Sequence, residues 1–255
     1  MIIALQLIMY VLVFLMGASI FSFLNVVIYR VPRNMDFIKG RSHCPNCGKA
    51  LSPLDMIPVF GYLLLKGKCR YCKSKISPRY AVIELLGGLI AVFLVNKFGY
   101  NFQAITMFAF FSMLTVVACV DIDTMEIPNG FVLAILIIAI FSFFAFPEIT
   151  LLQRIIGFFV VSLFLLIVTL IVPGGFGGGD IKLMAACGAF LGWKLCLISF
   201  FIAILLGGGY GIALLIRKKK GKKDHFAFGP FLCVGCGLGF LYGGELLSWY
   251  LGLWF

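Results

Sequence analysis

From Ile2 to Tyr29 the chain carries no charged residue, and comparable apolar runs recur along its length, separated by short polar punctuation. A continuous apolar run of about 20 residues matches the hydrocarbon thickness of a bilayer at the rise of an α-helix. The runs do not alternate, which argues against β-strands. Inside lipid, only helices and closed barrels satisfy the backbone internally. The chain has 255 residues, 62% hydrophobic and only 12% charged, and no long polar segment that could form a second soluble domain. The expected fold is an all-α polytopic membrane protein with about eight transmembrane helices and one small cytoplasmic loop domain.

The net charge of +11 is concentrated. Of 21 Lys and Arg, 11 fall between Arg30 and Arg79, and six between Arg217 and Lys223. Two basic loops between apolar spans follow the bias of cytoplasmic loops toward positive charge, so no nucleic-acid partner is expected. The Arg217-Lys218-Lys219-Lys220 run reads as an anchor at an anionic leaflet. The first apolar stretch has no basic residue before it and Arg30 after it, unlike a cleavable signal. That order puts the N-terminus outside and residues 30–79 in the cytoplasm.

The expected spans are residues 2–29, 80–97, 102–120, 130–146, 151–172, 181–193, 195–216 and about 226–250. Both chain ends then lie outside, and Trp249, Tyr250 and Trp254 form an outer aromatic belt. The domain division is 1–29 for the first helix, 30–79 for the loop and 80–255 for a seven-helix core. Gly17, Ala18, Ser19 and Ser22 allow a close helix approach on the first span. Asn25 in that span needs an interhelical hydrogen-bond partner or contacts a cofactor or substrate. Glu84, one turn inside the second span, either serves function or pairs with Arg79 or another loop cation.

The loop holds Cys44-Pro45-Asn46-Cys47 and, after 21 intervening residues, Cys69-Arg70-Tyr71-Cys72. Each pair can grip a metal through two thiolates, and two pairs complete a closed, structural four-sulfur zinc site. Two disulfides or a redox pair are the alternatives, and a cytoplasmic location disfavours stable disulfides. His43 adjoins the first pair as a bystander. Met56 to Leu65 is apolar but too short to span, so it lies in the interface or packs on the membrane domain. The other cysteines, Cys119, Cys187, Cys196, Cys233 and Cys236, read as packing residues at helix contacts.

Two acids stand beside apolar spans where an unpaired carboxylate is costly. Asp121 closes the third span, followed by Ile122-Asp123, and Asp180 opens the sixth after Gly177-Gly178-Gly179. The topology puts both at the cytoplasmic face. Two neighbouring carboxylates share a proton, a state suited to peptide hydrolysis. The helix dipole favours charge on Asp180, at an N-terminus, over Asp121, at a C-terminus. Asp123 is the rival to Asp121. The glycine run Pro173–Gly179 lacks the Lys-Ser/Thr of a nucleotide loop and suits close approach to a peptide backbone instead. No Ser-His or Cys-His pair competes, since His43 and His225 both lie in basic loops.

In order and spacing, these motifs resemble the bacterial type IV prepilin peptidases, bifunctional leader peptidases and N-methyltransferases. The resemblance rests on Gly17 to Pro32, the paired Cys-x-x-Cys loop, Ser77-Pro78-Arg79-Tyr80 with Glu84-Leu85-Leu86 and Gly88, Asp121-Ile122-Asp123 with Ile127-Pro128-Asn129, Gly177-Gly178-Gly179-Asp180-Ile181-Lys182-Leu183, and Phe228-Gly229-Pro230-Phe231. It implies an aspartyl peptidase of the Gly-x-Gly-Asp type with Asp121 and Asp180 catalytic, and Gly177, Gly179 and Asp123 in the supporting loop. It implies Cys44, Cys47, Cys69 and Cys72 as zinc ligands. The substrates implied are type IV prepilins and pseudopilins, cut at the cytoplasmic face of the bacterial inner membrane behind a short basic leader. The methyl donor implied for the new N-terminus is S-adenosylmethionine, with Asn25 and Glu84 as candidate cofactor or substrate contacts. The rivals are an ion-coupled transporter, which wants midplane acids and internal repeats, and a zinc-dependent assembly module, which leaves both acid motifs without a task.

Overall fold

The computed structural model describes residues 2–38, 40, 42–172, 175–216 and 226–253. The basic run Arg217–Lys223, His225 and Trp254 lie outside the described residues, as do Pro173 and Gly174 of the glycine run. The described chain is helical: α1 (Ile2–Arg30), α2 (Phe60–Leu64), α3 (Pro78–Phe98), α4 (Phe102–Thr124), α5 (Asn129–Ala145), α6 (Leu151–Ile171), α7 (Gly178–Ile216) and α8 (Gly229–Leu251). Among the described residues six helices are long and apolar enough to cross a membrane, and α5 is a shorter apolar helix. The 39-residue α7 holds both the sixth and the seventh expected spans. It bends at Gly192, whose φ of 72° is open to glycine and strained for other residues. The protein is a multi-pass membrane protein.

The chain divides into two compact units, Met1–Phe108 and Ala109–Phe255. In the first, α1 packs antiparallel against α3: Tyr10 bonds Asn96, Gly17 meets Gly87, and Asn25 reaches Tyr80. Lipid supplies no hydrophobic drive for this pairing, so close packing must. A Cβ on Gly87 would overlap the ring of Phe21, and one on Gly88 the ring of Phe14. The glycines of α3 are the holes into which α1 sets its aromatic knobs.

In the second unit, α7 packs against α5, α6 and α8. It crosses α6 where Gly157 and Gly188 face each other's carbonyls, leaving no room for a Cβ on either. Ser199 of α7 occupies the same kind of notch beside Gly235 and Gly239 of α8. Phe110 and Phe190 stack with centroids 4.0 Å apart, and Phe146 and Phe240 pack on Phe190. Cys187, Cys196, Cys233 and Cys236 are buried among these helices, as expected of small packing residues.

Candidate active site and metal centre

α4 runs past its expected end at residue 120, so Asp121 lies in its last turn. The helix stops at Met125, held at φ 54°, and Thr124 closes the turn through hydrogen bonds with the backbone of Glu126. Pro128 then leads into α5. Across from this turn, the glycine loop delivers Asp180 in the first turn of α7. Both acids are buried, Asp121 at 5% and Asp180 at 8% exposure. Both line one cavity of about 440 Å³ together with Met125, Glu126, Ile127, Gly177, Gly179 and Lys182, among others.

Each carboxylate is held by one backbone donor. The Gly229 N–H donates to Asp121 Oδ2 at 2.9 Å, and the Gly177 N–H donates to Asp180 Oδ2 at 3.3 Å. A Cβ on Gly229 would stand 2.6 Å from Asp121 Oδ2. A Cβ on Gly177 would stand 3.3 Å from Asp180 Oδ2, and one on Gly179 would stand 3.0 Å from Ile127. Gly178, between them, faces open space. The pattern Gly-x-Gly-Asp thus has a steric reason: its first and third glycines are crowded and its middle one is not.

The sequence offered Phe228-Gly229-Pro230-Phe231 as a matching motif without a contact for it, and placed the helix start near Phe226. The helix begins at Gly229, with proline in its first turn where the missing N–H costs nothing. The first N–H of α8 therefore serves Asp121. Lys182 entered the sequence reading only as part of the Gly177–Leu183 motif. It lines the cavity and donates to Asn129 Oδ1 at 3.0 Å, tying α7 to the start of α5. Asp123 is exposed and is not part of the cavity lining.

In the first unit, the four cysteine sulfurs lie within 4.8 Å of one another. Cys44 Sγ and Cys72 Sγ are 3.8 Å apart. Four ligands at the usual zinc–sulfur distance of about 2.3 Å stand roughly 3.8 Å apart at tetrahedral corners. The two knuckles repeat one design. Cys44 N–H donates to Lys49 O and Gly48 N–H to Cys44 O; Cys69 N–H donates to Ser74 O and Lys73 N–H to Cys69 O. Gly48 and Lys73 take the left-handed turn at matching places, with φ of 69° and 59°.

The thiols suit a cation. The Ser74 hydroxyl and N–H bring Cys72 down to about 6. The N–H groups of Cys47 and Asn46 lower Cys44. Lys49 N–H also favours a Cys47 thiolate, yet burial and the neighbouring sulfurs prevail and push it up to about 11. Sulfurs this close cannot all ionise without a positive ion among them, so the cluster can hold a metal. His43 forms a backbone bridge with Ala50 and is not one of the clustered ligands.

Asn25 and Glu84 act within the first unit. Asn25 Nδ2 donates to the Tyr80 carbonyl at 3.1 Å, an interhelical bond. Glu84 Oε2 accepts the Val59 N–H at 2.8 Å, fastening the knuckle loop to α3.

Comparison with known proteins extends this picture over the chain. Residues 15–98 match the Bacterial Peptidase A24 N-terminal domain, and residues 108–212 match the Type IV leader peptidase family. A prepilin leader peptidase/N-methyltransferase of Bacillus subtilis (strain 168) is 32% identical over 240 residues, covering 94% of this chain and 97% of the relative. Proteins of the same name from Stutzerimonas stutzeri and Pseudomonas aeruginosa are 30% and 29% identical, covering 92% and 93% of this chain and 91% of each relative. No solved structure matches. The paired knuckles of the first unit, the Asp121–Asp180 cavity of the second and these matches agree: the chain belongs to the type IV leader peptidase family, among its prepilin leader peptidase/N-methyltransferases.

Proposed function

We propose that Asp121 and Asp180 form an aspartyl dyad that removes the leader from type IV prepilins and pseudopilins at the cytoplasmic face of the inner membrane. The observation that carries this is two buried carboxylates lining one cavity, each anchored through a single oxygen by a glycine N–H. The other oxygen of each acid remains for the reaction. The charged member of the pair takes a proton from water as its oxygen attacks the scissile carbonyl carbon. The neutral member donates its proton to the carbonyl oxygen. Collapse of the tetrahedral intermediate breaks the C–N bond, and the leaving amine takes a proton from the dyad. No acyl-enzyme forms.

In the same reading, the four cysteines hold a structural zinc ion, and S-adenosylmethionine supplies the methyl group for the new N-terminal amine. Asn25 and Glu84, the candidate donor contacts, each commit a polar atom to the protein's own backbone. That supports a fastening role for both, and no described residue is assigned to the donor.

The test is a reconstitution in lipid with a prepilin, followed by mass spectrometry. Wild type should lose the leader and, with S-adenosylmethionine, gain one methyl mass. Asp121→Asn and Asp180→Asn should insert normally and cleave nothing. Asn25→Ala and Glu84→Gln should lower metal content and methylation together; methylation lost at full metal content would instead make them donor contacts. Cleavage persisting in both folded Asp variants would end the dyad reading.

A further inference from the structure

The segment between the two knuckles turns six large apolar side chains outward. Leu54, Met56, Ile57, Phe60, Leu63 and Leu64 are all exposed, Leu63 at 62% and Leu64 at 77%. Apolar residues grouped this way mark a membrane or partner contact. A five-residue helix cannot cross a bilayer, so α2 is not itself a span.

Its depth relative to a span is set by one hydrogen bond. Glu84 accepts the N–H of Val59, the residue that immediately precedes α2. Val59 has φ 63°, a conformation β-branched residues seldom adopt, so the chain reaches this point under constraint. The 21 residues of α3 rise about 31 Å, close to the hydrocarbon thickness. Glu84 lies less than two turns from the Pro78 end, and helical side chains lean toward the N-terminus. The start of α2 is therefore tied to the boundary where hydrocarbon gives way to headgroups.

The charges around it favour lipid. Lys66 lies two residues past the end of α2, and Lys66, Lys68, Lys73 and Lys75 are all exposed. Between Ile38 and Glu84 the only acid is Asp55. Its side chain is 1% exposed and is held by Arg70. The face thus presents apolar side chains beside cations and no bare negative charge, the combination that suits an anionic leaflet.

We propose that α2 and the turns before it form a membrane-surface wedge. Phe60, Leu63 and Leu64 enter the boundary between acyl chains and headgroups at the Pro78 end of α3. Lys66 and Lys68 hold anionic lipid headgroups. The wedge and the Glu84 bond together keep the metal-binding knuckles against the bilayer surface. This inference needs the spans but not the peptidase chemistry.

The test places a benzophenone-bearing phenylalanine at Leu63, at Leu64 or, as a control, at Asn46 on the tip of the first knuckle. The full chain is reconstituted in vesicles of phosphatidylcholine and phosphatidylglycerol, irradiated and analysed by intact mass, with bound metal measured to confirm folding. Lipid adducts should form about tenfold more often at Leu63 and Leu64 than at Asn46. They should favour phosphatidylglycerol, and Lys66→Glu with Lys68→Glu should abolish that preference. Adducts no more frequent than at Asn46, or crosslinks to a second copy of the chain or to added prepilin in their place, would overturn the wedge. A lipid preference unchanged by the lysine variants would overturn the headgroup contact.

Discussion

Among its described residues the second unit buries charge in two places, and it treats them in opposite ways. Arg154, at 5% exposure, is surrounded by acceptors. Its guanidinium donates to the Ser142 hydroxyl and carbonyl, to the carbonyls of Ile149 and Phe146, and to those of Ala189 and Phe190. The carbonyls of Ser142, Phe146, Ala189 and Phe190 lie at the C-terminal end of α5 and just before the Gly192 bend, where helix dipoles favour a cation, and that of Ile149 lies in the turn before α6. Asp121 and Asp180 are buried to a similar degree, yet each accepts one backbone N–H and faces a cavity. Burial alone therefore does not mark a reactive group in a membrane protein. A charge with all its hydrogen bonds satisfied is architecture, and a charge left partly unsatisfied beside an open volume is available for chemistry.

The comparison breaks first at the acids. Asp121→Asn and Asp180→Asn should each lower the initial rate of leader cleavage by on the order of 10³–10⁴-fold. Thermal melting in lipid should stay level or rise. A large fall in melting temperature would make the acids architectural after all.

Arg154→Met should do the reverse. Several buried carbonyls lose their donor, at a cost of about 3 kcal/mol in stability. Denaturant or thermal unfolding checks this, and the protein that remains folded should cleave at a rate within a few-fold of wild type.

The glycines sharpen the contrast within the site. Gly229→Ala crowds Asp121 Oδ2 and displaces its donor, so cleavage should fall by roughly 10²-fold. Gly178→Ala meets open space and should keep its rate within about twofold. Equal losses would disprove the steric reading of Gly-x-Gly-Asp.

The smallest effect belongs to the knuckle loop. Arg70, bonded to Asp55 at 2.6 Å, holds that carboxyl below the usual carboxylate range. A depressed folded pKa contributes stability above the unfolded value, near pH 4, and that contribution is lost as the pH falls through the folded value. Arg70 is half exposed, so solvent screens the pair. Melting of wild type and Asp55→Asn should differ slightly at pH 7 and converge below about pH 3. A gap that widens in acid would reverse the sign of the argument.

Much of this was legible in the residues. Apolar runs located the spans, because a bilayer demands uninterrupted helices of a set length. The break near residue 193 was legible too, although the chain bends there at Gly192 instead of ending one helix and starting another. The end of the third span was placed too early. Hydropathy falls at Asp121, but helical hydrogen bonding continues to Thr124, and the acid therefore sits inside a helical turn. Asn25 announced that it needed a partner without naming Tyr80. Glu84 suggested a cation and took the Val59 N–H instead. Nothing in the residues around Arg154 signalled its ring of carbonyl acceptors.

The class of fold, the four-thiol cluster and the two acids beside the spans were readable from the residues alone. Those rest on run length, local spacing and residue chemistry, which are properties of short stretches. The tertiary structure alone decided who holds each of them. The donor to Asp121 is a backbone N–H 108 residues away, and the acceptors around Arg154 are carbonyls from α5, α7 and the turn between α5 and α6. Every residue has an N–H or a carbonyl to offer, so no residue letter can signal which one will be used. Only the packing of the helices brings a particular one within reach.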